Sequence, residues 1–382
     1  MFRNGDVVDT LTVRILRQPG FDELIDLSIG GAGSNPCNML GGIFGSFNPS
    51  FAADSSRLIL NLGSAPVGIA GTCEAVIAGT SLPTGVVKTA SIPVAVSNWE
   101  LQQSSTINTL RDVCFSDASN GVAVGDGGTL LRTTTGGSSW FPEVSGTGLD
   151  LHAVHFSDAL TATVVGAGGV ILRTLDGGLS WTTQTSGLNT DFFDVSFFDA
   201  SVGYVVGFDG VILRTANGGQ NWMLQQSGQG YDLVGVHTIR PDSAFAVGES
   251  FVRTVDGGAN WPVFNNWGTE FRHDIQIVNT AVGVFVGDNG SIYRTNDEAW
   301  SWYPVSSPAG DKSLFAVSFG VVATGAVVGE SGTVLRTTDG GITWIAEVFP
   351  SDVTLYGVHS IDAETATAVG ADGAIYRRTG PN

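Results

Sequence analysis

The stretch Val328-Gly329-Glu330-Ser331-Gly332-Thr333-Val334-Leu335-Arg336-Thr337-Thr338-Asp339-Gly340-Gly341-Ile342-Thr343-Trp344 decides the fold, because its skeleton recurs along most of the chain. Gly329 has counterparts in Gly125, Gly166, Gly207, Gly248, Gly287 and Gly370, a spacing near 41 residues. An Arg follows each glycine by seven residues, or by five in the unit of Gly248, which gives the column Arg132, Arg173, Arg214, Arg253, Arg294, Arg336 and Arg377. Eight residues further lies a Trp: Trp140, Trp181, Trp222, Trp261, Trp302 and Trp344. Self-similarity at such a period marks a row or ring of like supersecondary units.

Seven arginines stand against six tryptophans, and the chain ends at Asn382 before a seventh Trp could follow Arg377. The absent residue is found at the other end. Each Trp precedes the next unit's glycine by 26 residues, once by 27, and Trp99 precedes Gly125 by 26. Trp99 therefore takes the outer-strand place of the seventh unit. A chain whose ends supply complementary parts of one repeat must bring them together, which closes a ring and leaves no open sheet edge. The expected architecture is all-β: a seven-bladed β-propeller over residues 97–382, closed by an N-terminal strand.

Alternation and turn residues predict four strands per blade, the inner one typified by Leu151 to Phe156, then Ala162 to Gly166, Val170 to Thr174, and an outermost strand from Trp181. Asp126-Gly127-Gly128, Asp209-Gly210, Asn289-Gly290 and Asp372-Gly373 fall between second and third strands, where a tight hairpin needs positive φ. Calcium loops are the competing reading, but each turn offers too few side-chain oxygens for a shell of about six to eight ligands.

The run from third to outer strand resembles the Asp box of sialidase-type propellers, Ser/Thr-x-Asp-x-Gly-x-x-Trp. Thr337 to Trp344 fits it throughout, as do the units of Asp176 and Asp256; Asn217 and Thr135 replace the Asp, and Glu298-Ala299 replace Gly-Gly in the fifth unit. In that family the box is a structural hairpin away from any active site. Val-Gly, Leu-Arg-Thr and Asp-Gly-Gly-x-x-Trp together, over about residues 97–382, look most like the photosystem II stability/assembly factor family of seven-bladed propellers. Similar repeats are widespread in secreted bacterial proteins, so the resemblance implies the fold first and the photosynthetic role only second.

Residues 1–96 carry none of the repeat columns. Alternating stretches at Asp9 to Leu16, Glu23 to Ile29, Arg57 to Leu62, Thr72 to Gly79 and Lys88 to Val96 predict a small β-sandwich. Its details resemble bacterial Ig-like modules, which carry one more strand ahead of the position of Gly5. That strand is expected either upstream of Met1 or from a neighbouring subunit by donor-strand complementation, which would make the domain a site of self-association. Cys37 and Cys73 are a candidate disulfide in an oxidising compartment, with two free thiols as the alternative.

With 17 basic against 36 acidic residues the net charge is -19, which disfavours nucleic acid as a partner. No apolar run approaches the roughly 20 residues of a membrane helix, so membrane insertion is not expected. The repeated arginines and tryptophans read as blade packing. Unrepeated residues at equivalent positions carry more information, since near-identical blades do not require them. One such column, placed just before the inner strand, is Arg111, His152, Phe193, Val234, His273, Phe315 and Tyr356, with Asp150, Asp191, Tyr231, Asp232, Phe271 and Arg272 beside it. Aromatic and charged residues ringing one mouth of the channel suit a protein or glycan ligand.

His155, His237 and His359 share an inner-strand column with Cys114; they fall in blades two, four and seven, which favours core histidines over a metal site. No cofactor and no metal are expected. The glutamates of the propeller form no acid/base pair, so an enzyme is not expected; a glycosidase using Asp150 and Asp191 is the competing reading. The reading as a whole is a non-enzymatic extracellular or cell-surface scaffold, with a periplasmic or lumenal assembly factor as the alternative.

Overall fold

The computed structural model describes residues 98–228, 230–264, 270–279 and 282–380, together with the backbone of four strands ahead of them. Those four, Asp9–Ile15 with Ser56–Leu62 and Thr72–Ser81 with Val86–Ala95, form two antiparallel pairs. The Ig-like assignment, the missing first strand and the Cys37–Cys73 pairing rest on residues outside the described ones. The chain divides into two compact units, Met1–Asn98 with Gly380–Asn382, and Trp99–Thr379.

The second unit is a propeller of seven antiparallel sheets. Blade 2 is typical: Leu151–Phe156 innermost, then Ala162–Gly166, Ile171–Thr174 and Thr182–Gln184. Blade 7 is made from both ends of the unit, Leu355–Ser360, Ala366–Gly370 and Ile375–Arg378 pairing in turn with Trp99–Gln102. This strand is separated in sequence from the rest of its sheet and carries an added anchor. Trp99 Nε1 donates to Glu347 at 2.7 Å, and the same carboxylate accepts from Arg378 Nε at 3.2 Å.

The core lies between neighbouring blades. Ala153, Val165 and Ile171 of blade 2 pack against Phe192 and Val195 of blade 3, and Val369 and Ile375 of blade 7 pack against Leu110 and Val113 of blade 1. Each fully buried aliphatic side chain contributes roughly 1.5–3 kcal/mol. The column tryptophans meet inner-ring aromatics edge to face: Trp140 with Phe115 at 5.9 Å, Trp222 with Phe197 at 6.0 Å and Trp344 with Phe319 at 6.0 Å.

Blade 4 departs from the pattern. Its turn after Gly248 is two residues shorter, and its sheet has three strands, with one bridge from Val263 to Val252 in place of the fourth. Pro262 cannot donate to a ladder, which accounts for the interruption.

Candidate functional site

Loops leading into the inner strands share a face with the second-to-third-strand turns. In every blade the turn's first residue donates to the residue before the inner strand: Asp126 to Thr109, Ala167 to Asp150, Phe208 to Asp191, Glu249 to Asp232, Asp288 to Phe271, Glu330 to Ser313 and Ala371 to Thr354. The Asp boxes lie on the opposite face, where Gly136, Gly177 and Gly218 donate to the inner-to-second turns. We call these the leading face and the box face.

Near its start, each inner strand carries a residue that its neighbour's ladder skips. The register shifts fall between Leu110 and Asp112, Leu151 and Ala153, Phe192 and Asp194, Leu233 and Gly235, Arg272 and Asp274, Leu314 and Ala316, and Leu355 and Gly357. The skipped residues are Arg111, His152, Phe193, Val234, His273, Phe315 and Tyr356. The unrepeated column is thus inside the strand as its second residue, not before it, and a β-bulge re-aims the side chain it carries.

The bulged side chains meet from blade to blade. His273 and Phe315 lie 4.9 Å apart and Phe315 and Tyr356 5.4 Å, while the Arg111 guanidinium lies 5.5 Å over Tyr356, and Phe271, in the loop entering the His273 strand, lies 4.9 Å from His273. His152 and Phe193 form a second pair at 5.7 Å. Two members are fixed to the turns above them, Arg111 Nε to Asp126 at 2.7 Å and His273 Nε2 to Asp288 at 2.8 Å. The result is a half-buried aromatic belt at the leading mouth of the channel.

The other sequence candidates play different parts. Asp150, Asp191 and Asp232 accept the backbone N–H of Gly127, Gly168 and Asp209 at 2.7, 2.8 and 2.8 Å, each tying its blade to the turn of the one before. Asp150 and Asp191 therefore act as two members of a repeated structural column. Tyr231 is exposed on a leading loop. Arg272 belongs elsewhere: it is buried, takes the place that Leu110 and Leu151 hold in other blades, and lies 5.7 Å over the Phe285 ring.

Beneath the belt is a set that the sequence reading missed. The inner-strand column after the bulge reads Asp112, Ala153, Asp194, Gly235, Asp274, Ala316 and Gly357, an acid in blades 1, 3 and 5. An innermost strand is a sheet edge, so its outward N–H groups need acceptors. Each carboxylate serves two: Asp112 takes Val113 and Val154 at 2.7 and 2.8 Å, Asp194 takes Val195 and Val236 at 2.7 and 2.7 Å, and Asp274 takes Ile275 and Val317 at 2.7 and 2.8 Å. One acid per two blades covers six blades, and among the described residues no aspartate reaches Val358 in the seventh. Burial pushes Asp112 up to about 7 and Asp274 to about 6; Asp194 is raised well above the usual carboxylate range by burial and then by Asp274.

Two positions on, a second column continues the lacing. Thr238 donates to Ser196 Oγ at 3.0 Å, Phe319 to Gln276 at 2.6 Å and Ser360 to Ser318 at 2.8 Å. Cys114, His155 and His237 lie beside the next blade's backbone at Phe156, Phe197 and Ile277. Burial pushes the Cys114 thiol up to about 12 and holds His155, His237 and His359 down at about 4, so the imidazoles are neutral.

On the box face the repeated residues hold blades together. Arg173 donates to Ala200 at 2.9 Å, Arg214 to Pro241 at 3.2 Å, Arg294 to Gly340 at 2.7 Å and Arg336 to Ala363 at 3.0 Å, each in the following blade. Arg132 pairs with Glu143 at 2.9 Å, Arg253 stacks on Phe245 at 5.0 Å and Trp300 at 4.4 Å, and burial lowers the pKa of Arg377. Box carboxylates bind their own loops, and hydrogen bonds from Ser180 hold Asp176 down at about 2.

The profile of the family described as photosynthesis system II assembly factor YCF48 matches residues 92–187, 144–226, 181–310 and 267–381. The chain belongs to the YCF48 family. It is thereby a member of a family of assembly factors and not of enzymes. Among solved structures, YCF48 bound to a D1 peptide is similar at TM-score 0.63 and 21% identity, over 75% of this chain and 96% of that one. YCF48 from Cyanidioschyzon merolae follows at TM-score 0.62 and 23% identity, over 75% and 99%. The WD40 propeller of Doa1 has TM-score 0.59 at 14% identity, over 73% and 96%, so likeness at this level speaks for the fold alone. No curated protein matches the chain.

Proposed function

We propose that this chain is a non-enzymatic assembly factor that holds an extended protein segment against the leading mouth of its channel, in a periplasm or lumen, on behalf of a membrane complex. The observation that carries this reading is the bulged column: seven equivalent positions, re-aimed by one backbone device, that bear five different residue types and meet as an aromatic belt. Rigid aromatic side chains at a concave mouth supply contact area at low entropic cost. A family member is known in complex with a D1 peptide. That favours a protein ligand over a glycan, and an assembly role over the extracellular surface. The preceding strands fit an Ig-like arm of this scaffold.

The test is site-specific photo-crosslinking in the native host, with a benzophenone amino acid at Phe315 or Tyr356 on the leading face and at Ile342 on the box face. Adducts with a subunit of a membrane complex are expected from the first two positions only. Adducts from Ile342 alone would overturn the assignment.

A further inference from the structure

Accepting the leading mouth as the docking site, its surroundings specify the charge of what docks there. Among the described residues the mouth's own arginine, Arg111, is taken by Asp126, and Lys312 is the other basic residue on the leading loops. Carboxylates are far more numerous there, with Asp209, Asp288, Glu330 and Asp372 on the turns that surround the belt. Below the belt, Asp112, Asp194 and Asp274 each keep part of their surface open to the channel. The groups that act on these three are burial, backbone N–H donors and one another, with no Lys or Arg among them. The histidines of the next layer are neutral and bring no counter-charge.

We infer that the segment held at the mouth is basic, and that a lysine or arginine side chain of the partner enters through the belt of Phe315, Tyr356, His273 and Phe193 toward Asp112, Asp194 and Asp274. The aromatic faces attract a cation as it sheds water. Carboxylates that lack an internal counter-ion then gain one, in a channel where screening by salt is weak. An acidic segment, or a chain's C-terminal carboxylate, would meet repulsion from the turn carboxylates and would bring the channel acids no counter-ion. A neutral segment would fill the belt and leave the acids as they are. The long, straight stem of lysine or arginine also suits passage through a ring of rings, with the charge at its tip.

The experiment uses the full chain and three short, extended, fluorescently labelled peptides that differ at one central residue: Lys, Gln or Glu. Anisotropy titrations are run at low and high salt. The Lys peptide is expected to bind at least about tenfold more tightly than the Gln peptide and to keep most of that margin at high salt, with the Glu peptide weakest. Phe315→Val and Tyr356→Val keep the fold, since blade 4 carries Val234 at this position, and are expected to weaken all three peptides. Equal or tighter binding of the Glu peptide, with both variants still weakening it, would overturn the basic-partner inference and leave the mouth in place. Binding untouched by either variant would remove the mouth itself. Failure of all three peptides to bind up to about 1 mM would overturn the inference as well.

Discussion

The two faces of the ring are built by opposite rules. On the box face the same residues return blade after blade: an arginine reaches the next blade, an Asp or Asn caps its own hairpin, and a Trp closes the core. On the leading face the backbone device is the same in every blade, a bulge at the second inner-strand residue, but the side chain on it varies from Arg to His to Phe to Val to Tyr. Repetition of residues marks what the ring needs to stand. Repetition of geometry with varied residues marks where the ring is free to recognise something.

The largest effect is expected where repetition meets closure. Trp99→Ala should cost about 3–5 kcal/mol in denaturant unfolding, since a buried indole, its edge contact with Phe349 and its bond to Glu347 all go, and no covalent continuity holds this strand to its sheet. Trp181→Ala, in a place that is only half-buried, should cost less. Equal losses would mean that the closing strand is no more critical than any other.

Next comes the channel. Asp194→Ala strips the acceptor from two edge N–H groups, Val195 and Val236, and should cost about 1–3 kcal/mol. The same change at Asp232, which serves one exposed N–H, should cost less than about 1 kcal/mol. Both are read by chemical denaturation.

These acids also give a pH signature. Asp112 and Asp274 sit near 7 and 6 in the fold against 3.8 ordinarily, so the folded ring keeps protons that the unfolded chain releases. The stability they lend is complete below about pH 4 and is lost as pH rises through about 6 to 7. His155, His237 and His359 run the other way, at about 4 against 6.5, and their contribution is present above 6.5 and lost as pH falls toward 4. Asp112→Asn removes one non-histidine titration. Its melting temperature should fall less than that of the parent between pH 5 and 8, whatever the constant offset from the lost acceptor. An unchanged slope would mean that Asp112 ionises normally.

A smaller gain is expected within the box face. Glu298 and Ala299 hold φ of 59° and 62° at places where other blades have Gly-Gly. Glu298→Gly should stabilise the chain by about 1 kcal/mol in calorimetry, and Ala299→Gly by less, because its methyl is buried against Trp302 and its neighbours. Gly340→Ala, at φ 72°, makes the reverse exchange and should destabilise by about as much.

The ring and its closure were legible in the sequence because Gly, Arg and Trp recur for reasons of geometry that no other residue meets equally well. Strand limits followed from the same columns: Leu151–Phe156 and Ala162–Gly166 are as read, and the third strand starts one residue late, at Ile171. The bulge was hidden, since one unpaired residue leaves no compositional trace, and so the mouth column was set just ahead of its strand. Arg272 was misplaced for a related reason: a charged residue beside a loop reads as exposed, whereas its register puts it in the core. The channel acids had left a signal, an Asp amid apolar residues in alternate units at Asp112, Asp194 and Asp274. Its meaning depends on knowing that the inner edge has N–H groups to satisfy.

The smallest stability effect belongs to the mouth. Phe315→Val should change unfolding free energy by no more than about 1 kcal/mol, because its ring is half-buried among other belt side chains. The direct test of the division between faces is hydrogen exchange of the full chain with and without the Lys-bearing peptide. Slowed exchange is expected at the inner-strand starts around Arg111, Phe315 and Tyr356, with the box loops at 175–180, 296–301 and 338–343 unchanged. Protection confined to the box loops would contradict it.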